Sequence, residues 1–135
     1  MLSSMWASVL FRKTVPFSSG CDRTIISSWQ EGVSGLGEGE SLTLYFSGEQ
    51  NLSMIRIAGG NHYTAYAYSA NSRPRTLRFV FSDGSYCEWT FDDAQEYVQL
   101  LLDSPVRTSF VQVIILSAYD ADWQDTGITE IEFYR

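Results

Sequence analysis

Hydrophobic and polar residues alternate with a period of two along most of the chain, which is typical of strands with one buried face. Leu42, Leu44 and Phe46 show this pattern, and it recurs around residues 55–57 and 77–81. The predicted strands lie near residues 6–11, 42–46, 55–57, 77–81, 86–91, 97–102, 110–116 and 128–134, with a turn at 47–51 and a tight Asp83-Gly84 hairpin.

This pattern predicts an all-β fold. About eight short strands separated by Gly, Asp and Pro turns favour two packed antiparallel sheets with Greek-key links, a jelly-roll β-sandwich. No stretch of helical period extends beyond one short turn at 92–96. The length of 135 residues fits one domain, residues 1–135, with a core that needs no metal or disulfide to form.

Charge excludes several classes of partner. A net charge of -7, with Lys13 the only lysine, disfavours nucleic acid and anionic membranes, which both attract clustered basic residues. The apolar stretch Met1 to Phe11 lacks a basic leading region and is too short for a membrane span. We therefore expect a soluble chain without its own signal peptide. Cys21 and Cys87 permit one disulfide and show no metal-site or redox-pair spacing, and we favour two independent thiols.

The most informative segment is residues 59–74, here called the tyrosine loop, which interrupts the predicted strands. Long loops in compact β domains are usually functional or disordered, and the three tyrosines and one histidine of this loop argue against disorder. Flat rings beside hydrogen-bonding groups are suited to a sugar, whose C–H face stacks while its hydroxyls need polar partners. The candidate ligand-binding residues of this loop are Asn61, His62, Tyr63, Tyr66 and Arg73.

A second loop, residues 119–125, follows a strongly apolar strand and carries Trp123 between carboxylates. In a sandwich of this topology it should lie at the same end as the tyrosine loop. Trp123 would then form a second platform, with Asp122 or Asp120 accepting from sugar hydroxyls. A solvated acidic turn is the alternative. A third wall could come from residues 29–39, where Trp29 suits the core and Glu31 the rim.

Catalysis has little support in the sequence. His62 is the single histidine, and no nucleophile-elbow, zinc-protease or phosphate-loop motif occurs. A glycosidase needs two carboxyls across a cleft, which sequence alone cannot place. We therefore expect no enzyme, with hydrolysis of a sugar or of NAD as the weaker possibility.

Several ordered motifs resemble those of the NADase-type glycan-binding domain, a discoidin-like relative of galactose-binding-like sandwiches. The resemblance covers about residues 20–134. The motifs are SWQEG at 28–32, GLGEG at 35–39, IRIAGG at 55–60, NSRPR at 71–75, FSDG at 81–84 and DTGITEIEFY at 125–134.

This resemblance implies a discoidin-like jelly roll of about eight strands that binds glycans through loops at one end and requires no cofactor. In the family, the Asn-x-Arg-Pro segment leads into a strand, so Tyr68, Asn71 and Arg73 are expected to hold the loop more than to touch ligand. Many relatives carry a structural calcium, for which this chain offers Asp22, Thr24 and Glu130, with Ser27 beside them. Thr24 stands where a second aspartate would be stronger.

The sequence thus predicts a non-catalytic glycan-binding module that targets or anchors a larger bacterial protein, at an extracellular or surface location. The alternative is a protein-interaction module in which the same aromatic loops dock a partner protein or a sister domain. Tyr and Trp are enriched in both kinds of site, so composition does not separate the two.

Overall fold

The computed structural model describes residues 12–15, 23–30, 38–123 and 126–135, with side chains from residue 38 onward except at Ser47. In chain order the elements are β1 Arg12–Val15, β2 Arg23–Gln30, β3 Ser41–Gly59, α1 Ala65–Ala70, β4 Arg73–Phe81, β5 Tyr86–Thr90, β6 Tyr97–Tyr119 and β7 Gly127–Tyr134.

The seven strands follow the order β2-β7-β3-β6-β4-β5, and β1 pairs in parallel with β3. Both β3 and β6 take part in two layers. In one layer, the end of β3 pairs with β7 on one side and with the start of β6 on the other. In the other layer, the beginning of β3 pairs with β1 and with the second half of β6, and that half of β6 also pairs with β4. The predicted all-β sandwich is confirmed.

One hydrophobic core lies between these layers. Leu42, Leu44 and Phe46 alternate into it from β3, as predicted, and the ring of Phe46 meets that of Phe133 edge to face at 5.3 Å. The fully buried members with large side chains are Leu42, Leu44, Leu52, Ile55, Ile57, Leu77, Phe79, Ile115, Ile131 and Phe133. Burial of each such side chain contributes about 1.5–3 kcal/mol.

Two predicted breaks between strands are absent. Residues 47–51 and the segment between Leu102 and Phe110 both continue as strand, with register shifts between Tyr45 and Gln50 and between Leu52 and Met54. Bulges bend a strand without ending it, which is why the sequence shows turn-like residues there. The hairpin at Asp83-Gly84 is confirmed, with Gly84 at φ +86°. The strand predicted at 6–11 lies outside the described residues.

The tyrosine loop, predicted without helix, holds the six-residue helix α1. Within the described part of the chain, no helix has the length and apolar character needed to cross a membrane.

Candidate functional site

The entrance of the tyrosine loop is fixed against β7. The Gly60 N–H donates to the Gly127 carbonyl at 2.8 Å, and the Thr129 hydroxyl donates to the Gly60 carbonyl at 2.7 Å. Gly60 has φ +85°, and a Cβ there would lie 2.9 Å from Arg73 Cγ and from the Tyr68 ring. Only glycine combines this backbone with such close packing.

His62 is built into this entrance. Its backbone N–H donates to Thr129 Oγ1 at 2.8 Å, and its Nε2 lies 2.8 Å from the Gly59 carbonyl. A carbonyl only accepts, so Nε2 carries the proton in the neutral ring and Nδ1 is the acceptor nitrogen. The ring is half-buried and packs edge-on against Tyr68 and Tyr97. Nδ1 is therefore the His62 ring nitrogen that the Gly59 carbonyl does not engage.

Helix α1 begins at an N-cap, Thr64, whose hydroxyl accepts from the Ala67 N–H at 2.9 Å. It ends at Asn71, whose backbone and side-chain N–H groups both donate to the Ala67 carbonyl. The helix buries Tyr68 and Ala70 and leaves Tyr66 on the outside. Capping at both ends compensates for the shortness of a helix that would be unstable alone.

Arg73 clamps the loop to the bend at 92–96. Its Nε and Nη2 donate to the Asp93 carboxylate at 2.6 and 3.0 Å, and its Nη1 donates to the carbonyls of Tyr68, Ser69 and Asn71. The hydrogen bond to Asp93 is the main reason that the pKa of Arg73 is raised. Burial, followed by the charge of Asp93, raises the pKa of Tyr68 to about 12. The donors of Arg73 are thus directed at the protein itself.

The two predicted loops meet. Trp123 forms an isolated bridge with Asn71, its N–H donates to the Ala70 carbonyl at 2.8 Å, and its carbonyl accepts from the N–H and hydroxyl of Ser72 at 2.9 Å. The Tyr66 and Trp123 rings lie edge to face with centroids 6.2 Å apart. The expectation that both loops lie at one end of the sandwich is confirmed.

Three large rings at this end are exposed. The exposed fractions are 88% for Tyr63, 72% for Tyr66 and 51% for Trp123. Asp120 and Asp122 are also exposed, three positions and one position before Trp123 respectively. Asn61 is half-buried and accepts the Tyr63 N–H through Oδ1 at 3.0 Å, which fixes the backbone beneath that ring. This end of the sandwich therefore presents three apolar rings to solvent, together with the exposed carboxylates of Asp120 and Asp122. We call Tyr63, Tyr66, Asp122 and Trp123 the aromatic platform.

The predicted calcium ligands are only partly within the described residues. Asp22 lies outside them, as do Cys21 and Glu31. In the backbone register Glu130 faces Ser27, whereas Thr24 faces Phe133, three positions along β7. Among the described residues, no group of three His, Cys, Asp or Glu side chains could hold a metal ion. Calcium therefore stays a prediction.

Sequence reasoning missed three neighbours of the loop: Asp93, Tyr97 and Arg56. The Arg56 guanidinium lies 3.8 Å above the Tyr97 ring and pairs with the nearly buried Glu132 at 2.9 Å. Tyr97 in turn supports His62. The sequence signal for Arg56 was its position between Ile55 and Ile57, which puts it on the outer face. Nothing in the sequence predicts its pairing across strands.

A family model described as NAD glycohydrolase translocation F5/8 type C domain matches residues 13–134. That range spans nearly all of the 135 residues, and the chain belongs to this family. No curated protein sequence matches the chain significantly.

Solved structures show the same fold at low identity. The family 32 carbohydrate-binding module of Clostridium perfringens NanJ, in complex with galactose, has a TM-score of 0.61 at 14% identity, covering 84% of this chain and 92% of that one. The Streptococcus pyogenes NAD+-glycohydrolase translocation domain has a TM-score of 0.61 at 17% identity, covering 79% and 96%. The family 32 module of Streptococcus pneumoniae EndoD has a TM-score of 0.60 at 11% identity, covering 84% and 95%.

Proposed function

We propose that this domain binds a neutral glycan on the aromatic platform and carries out no chemistry on it. The observation that carries the proposal is the contact between Tyr66 and Trp123, which joins two distant loops into one exposed aromatic surface at 6.2 Å between centroids. Two of the similar structures are carbohydrate-binding modules, one of them in complex with galactose.

The polar groups around the rings suit hydroxyl-rich ligands. Asp122 and the Nδ1 of His62 accept hydrogen bonds, and the side-chain NH2 of Asn61 can donate. Sugar recognition needs both roles beside an apolar surface. A single site of this kind gives a modest affinity, with Kd from micromolar to millimolar, about 4–8 kcal/mol.

Charge narrows the ligand class to neutral sugars. Asp120 and Asp122 are exposed beside Trp123, and the nearby guanidinium of Arg73 is paired with Asp93 at 2.6 Å. The whole chain carries a net charge of -7. A carboxylate or sulfate placed beside Trp123 would meet the like charge of Asp120 and Asp122.

The family description names translocation, and we infer that glycan binding here serves to target or anchor a larger protein at a glycan-bearing surface. The alternative function is protein interaction, in which the same platform binds a partner protein instead of a glycan. It predicts a stable protein complex that platform substitutions dissolve, with no response to sugar.

A glycan array tests the proposal with a matched control. The parent domain should bind, while Trp123→Ala and Tyr63→Ala should lose about tenfold in affinity, about 1.4 kcal/mol. The control is Tyr86→Ala, since Tyr86 is also an exposed tyrosine, 58% accessible, but lies on β5. Matched glycans with and without a terminal carboxylated sugar test the charge argument. Silence of the parent at high concentration, or equal loss in the Tyr86 variant, would overturn the proposal.

A further inference from the structure

On one flank of the sandwich, both layers end in the part of the chain that the structure describes. β5 is the last strand of its layer and pairs only with β4. The first half of β6, up to Val106, pairs only with β3, because β4 joins β6 from Val111 onward. These two strands border one cleft, which is lined from both sides.

Alternate residues of β5 direct their backbone N–H and C=O groups away from β4. Phe91 N–H donates to the Arg75 carbonyl and Phe81 N–H donates to the Ser85 carbonyl, so the odd-numbered residues of this strand bond to β4. In an antiparallel pair the intervening residues direct their N–H and C=O groups the other way. The backbone groups of Tyr86, Glu88 and Thr90 therefore point to the open edge.

The cleft beside this edge is small and apolar. It has a volume of about 200 Å³ and is lined by Cys87, Trp89 and residues 100–102, with Glu88 and Asp103 at its border. Trp89 is 41% exposed and Leu101 is 76% exposed. Small-molecule pockets measure roughly 300–1,000 Å³, so this volume suits one or two apolar side chains.

The charge of the cleft is one-sided, since its lining contains two carboxylates and no Lys or Arg. Glu88 pairs with Arg78 on β4, with the Arg78 Nε at 2.7 Å, while Asp103 lies close enough to Cys87 to add to the effect of burial, which raises the pKa of that thiol. An approaching chain is favoured if it brings a basic side chain to this border. A second copy of this domain would bring the same carboxylates and a net charge of -7.

The edges formed by β5 and by the first half of β6 differ in how well they are protected against pairing with another strand. Natural edge strands resist pairing through Pro, Lys, bulges or inward charges. β6 carries Asp103 and Pro105 in its open half, and Pro105 has no N–H to offer. β5, with the sequence YCEWT, has neither Pro nor Lys. Among the described strands, β5 is thus the edge that remains able to accept a further strand.

We propose that β5 accepts an extended segment of another protein, added as an extra strand, with alternating apolar and basic residues. Its backbone pairs with Tyr86, Glu88 and Thr90, one apolar side chain enters the cleft between Trp89 and Leu101, and a basic side chain lies against Asp103. This is strand addition, in which backbone bonds provide affinity and the pocket provides selectivity. The residues of this surface are different from those of the aromatic platform.

Amide hydrogen exchange on the free domain is the first test. The amides of Tyr86, Glu88 and Thr90 should exchange faster than those of Cys87 and Trp89, which bond to β4. Protection of all five amides in the free domain would overturn the proposal, because it would mean that this edge is already covered by the chain itself or by a second copy.

The second test adds a ten-residue peptide that alternates valine and lysine and measures the amide chemical shifts of the domain. We expect shifts at residues 86–90 and slowed exchange of the three edge amides. A glutamate-for-lysine peptide and a peptide N-methylated at alternate amides should bind at least about tenfold more weakly. Leu101→Lys, at an exposed position that tolerates substitution, should weaken binding similarly, whereas Tyr63→Ala should not. Equal binding of the glutamate peptide, or shifts confined to the aromatic platform, would overturn the proposal.

Discussion

Tyr66 and Trp123 meet edge to face at an interplanar angle of 87°, although one lies in α1 and the other follows β6. The backbone beneath them is joined as well, since Ala70 accepts from Trp123 and Trp123 accepts from Ser72. The two rings are therefore held in place before any ligand arrives. Such preorganisation reduces the entropy lost on binding.

We predict energetic coupling between these two rings. Edge-to-face aromatic pairs contribute about 0.5–1.5 kcal/mol beyond their buried area, and the exposure of both rings favours the lower half of that range. Urea unfolding of Tyr66→Ala, Trp123→Ala and the double variant forms the required cycle. Strict additivity of the three free energies would show that the rings do not support each other.

Arg73 should act on the loop more than on the ligand. Arg73→Lys keeps the charge but loses the fork that bonds Asp93 and three carbonyls, so the free energy of unfolding should fall by about 2 kcal/mol. Glycan affinity should fall only together with stability, because losing the clamp loosens the loop that carries Tyr63 and Tyr66. Arg75→Lys is the control, because Arg75 is exposed and its loss should stay within about 0.5 kcal/mol. Reduced affinity at unchanged stability would instead place Arg73 in contact with glycan.

The fold was largely predictable because alternation depends on burial alone. Leu42, Leu44 and Phe46 are buried as their spacing predicts. The continuity of the strands through residues 47–51 and beyond Leu102 was not predictable, since a turn and a bulge use the same residues. The difference is decided by β3 pairing with β6 along its length, which is a contact between distant segments.

The site was predictable in its aromatic residues but not in its supports. Trp123 and the tyrosines are visible as unusual loop residues, and their meeting follows from topology. Helix α1 left a weaker signal, an N-cap threonine followed by alanines that favour helix. The Arg73–Asp93 pair joins residues 20 positions apart and depends on how the bend at 92–96 packs. Local sequence carries no information on that packing.

The stability of the domain should depend on Tyr68 at high pH. Its pKa is raised to about 12 in the folded state, first by burial and then by Asp93, against about 10 in an unfolded chain. This contribution is fully present below about pH 10 and is lost as the pH rises towards about 12, because the unfolded chain ionises first. Tyr68→Phe removes the ionisable group. Between about pH 10 and pH 12 the free energy of unfolding of the parent should therefore fall relative to that of the variant. Urea unfolding at several pH values measures it, and parallel curves would contradict the assignment.

Gly60 should be the least replaceable glycine among those with left-handed backbone in the described residues. Both Gly60 and Gly84 have positive φ, +85° and +86°, but a Cβ at Gly84 meets nothing within 4 Å, whereas at Gly60 it would lie 2.9 Å from Arg73 Cγ and the Tyr68 ring. Gly84→Ala should therefore cost only the backbone term, about 1–2 kcal/mol. Gly60→Ala should cost about 1–3 kcal/mol more, because overpacking is added.

Thermal or urea unfolding of the two Gly→Ala variants gives the difference directly. Glycan binding should separate them as well, because displacement of Tyr68 and Arg73 would disturb the loop that carries Tyr63 and Tyr66, while the β4–β5 hairpin lies away from the platform. Equal destabilisation by both substitutions would mean that the close packing of Gly60 against Tyr68 and Arg73 does not hold the loop in place.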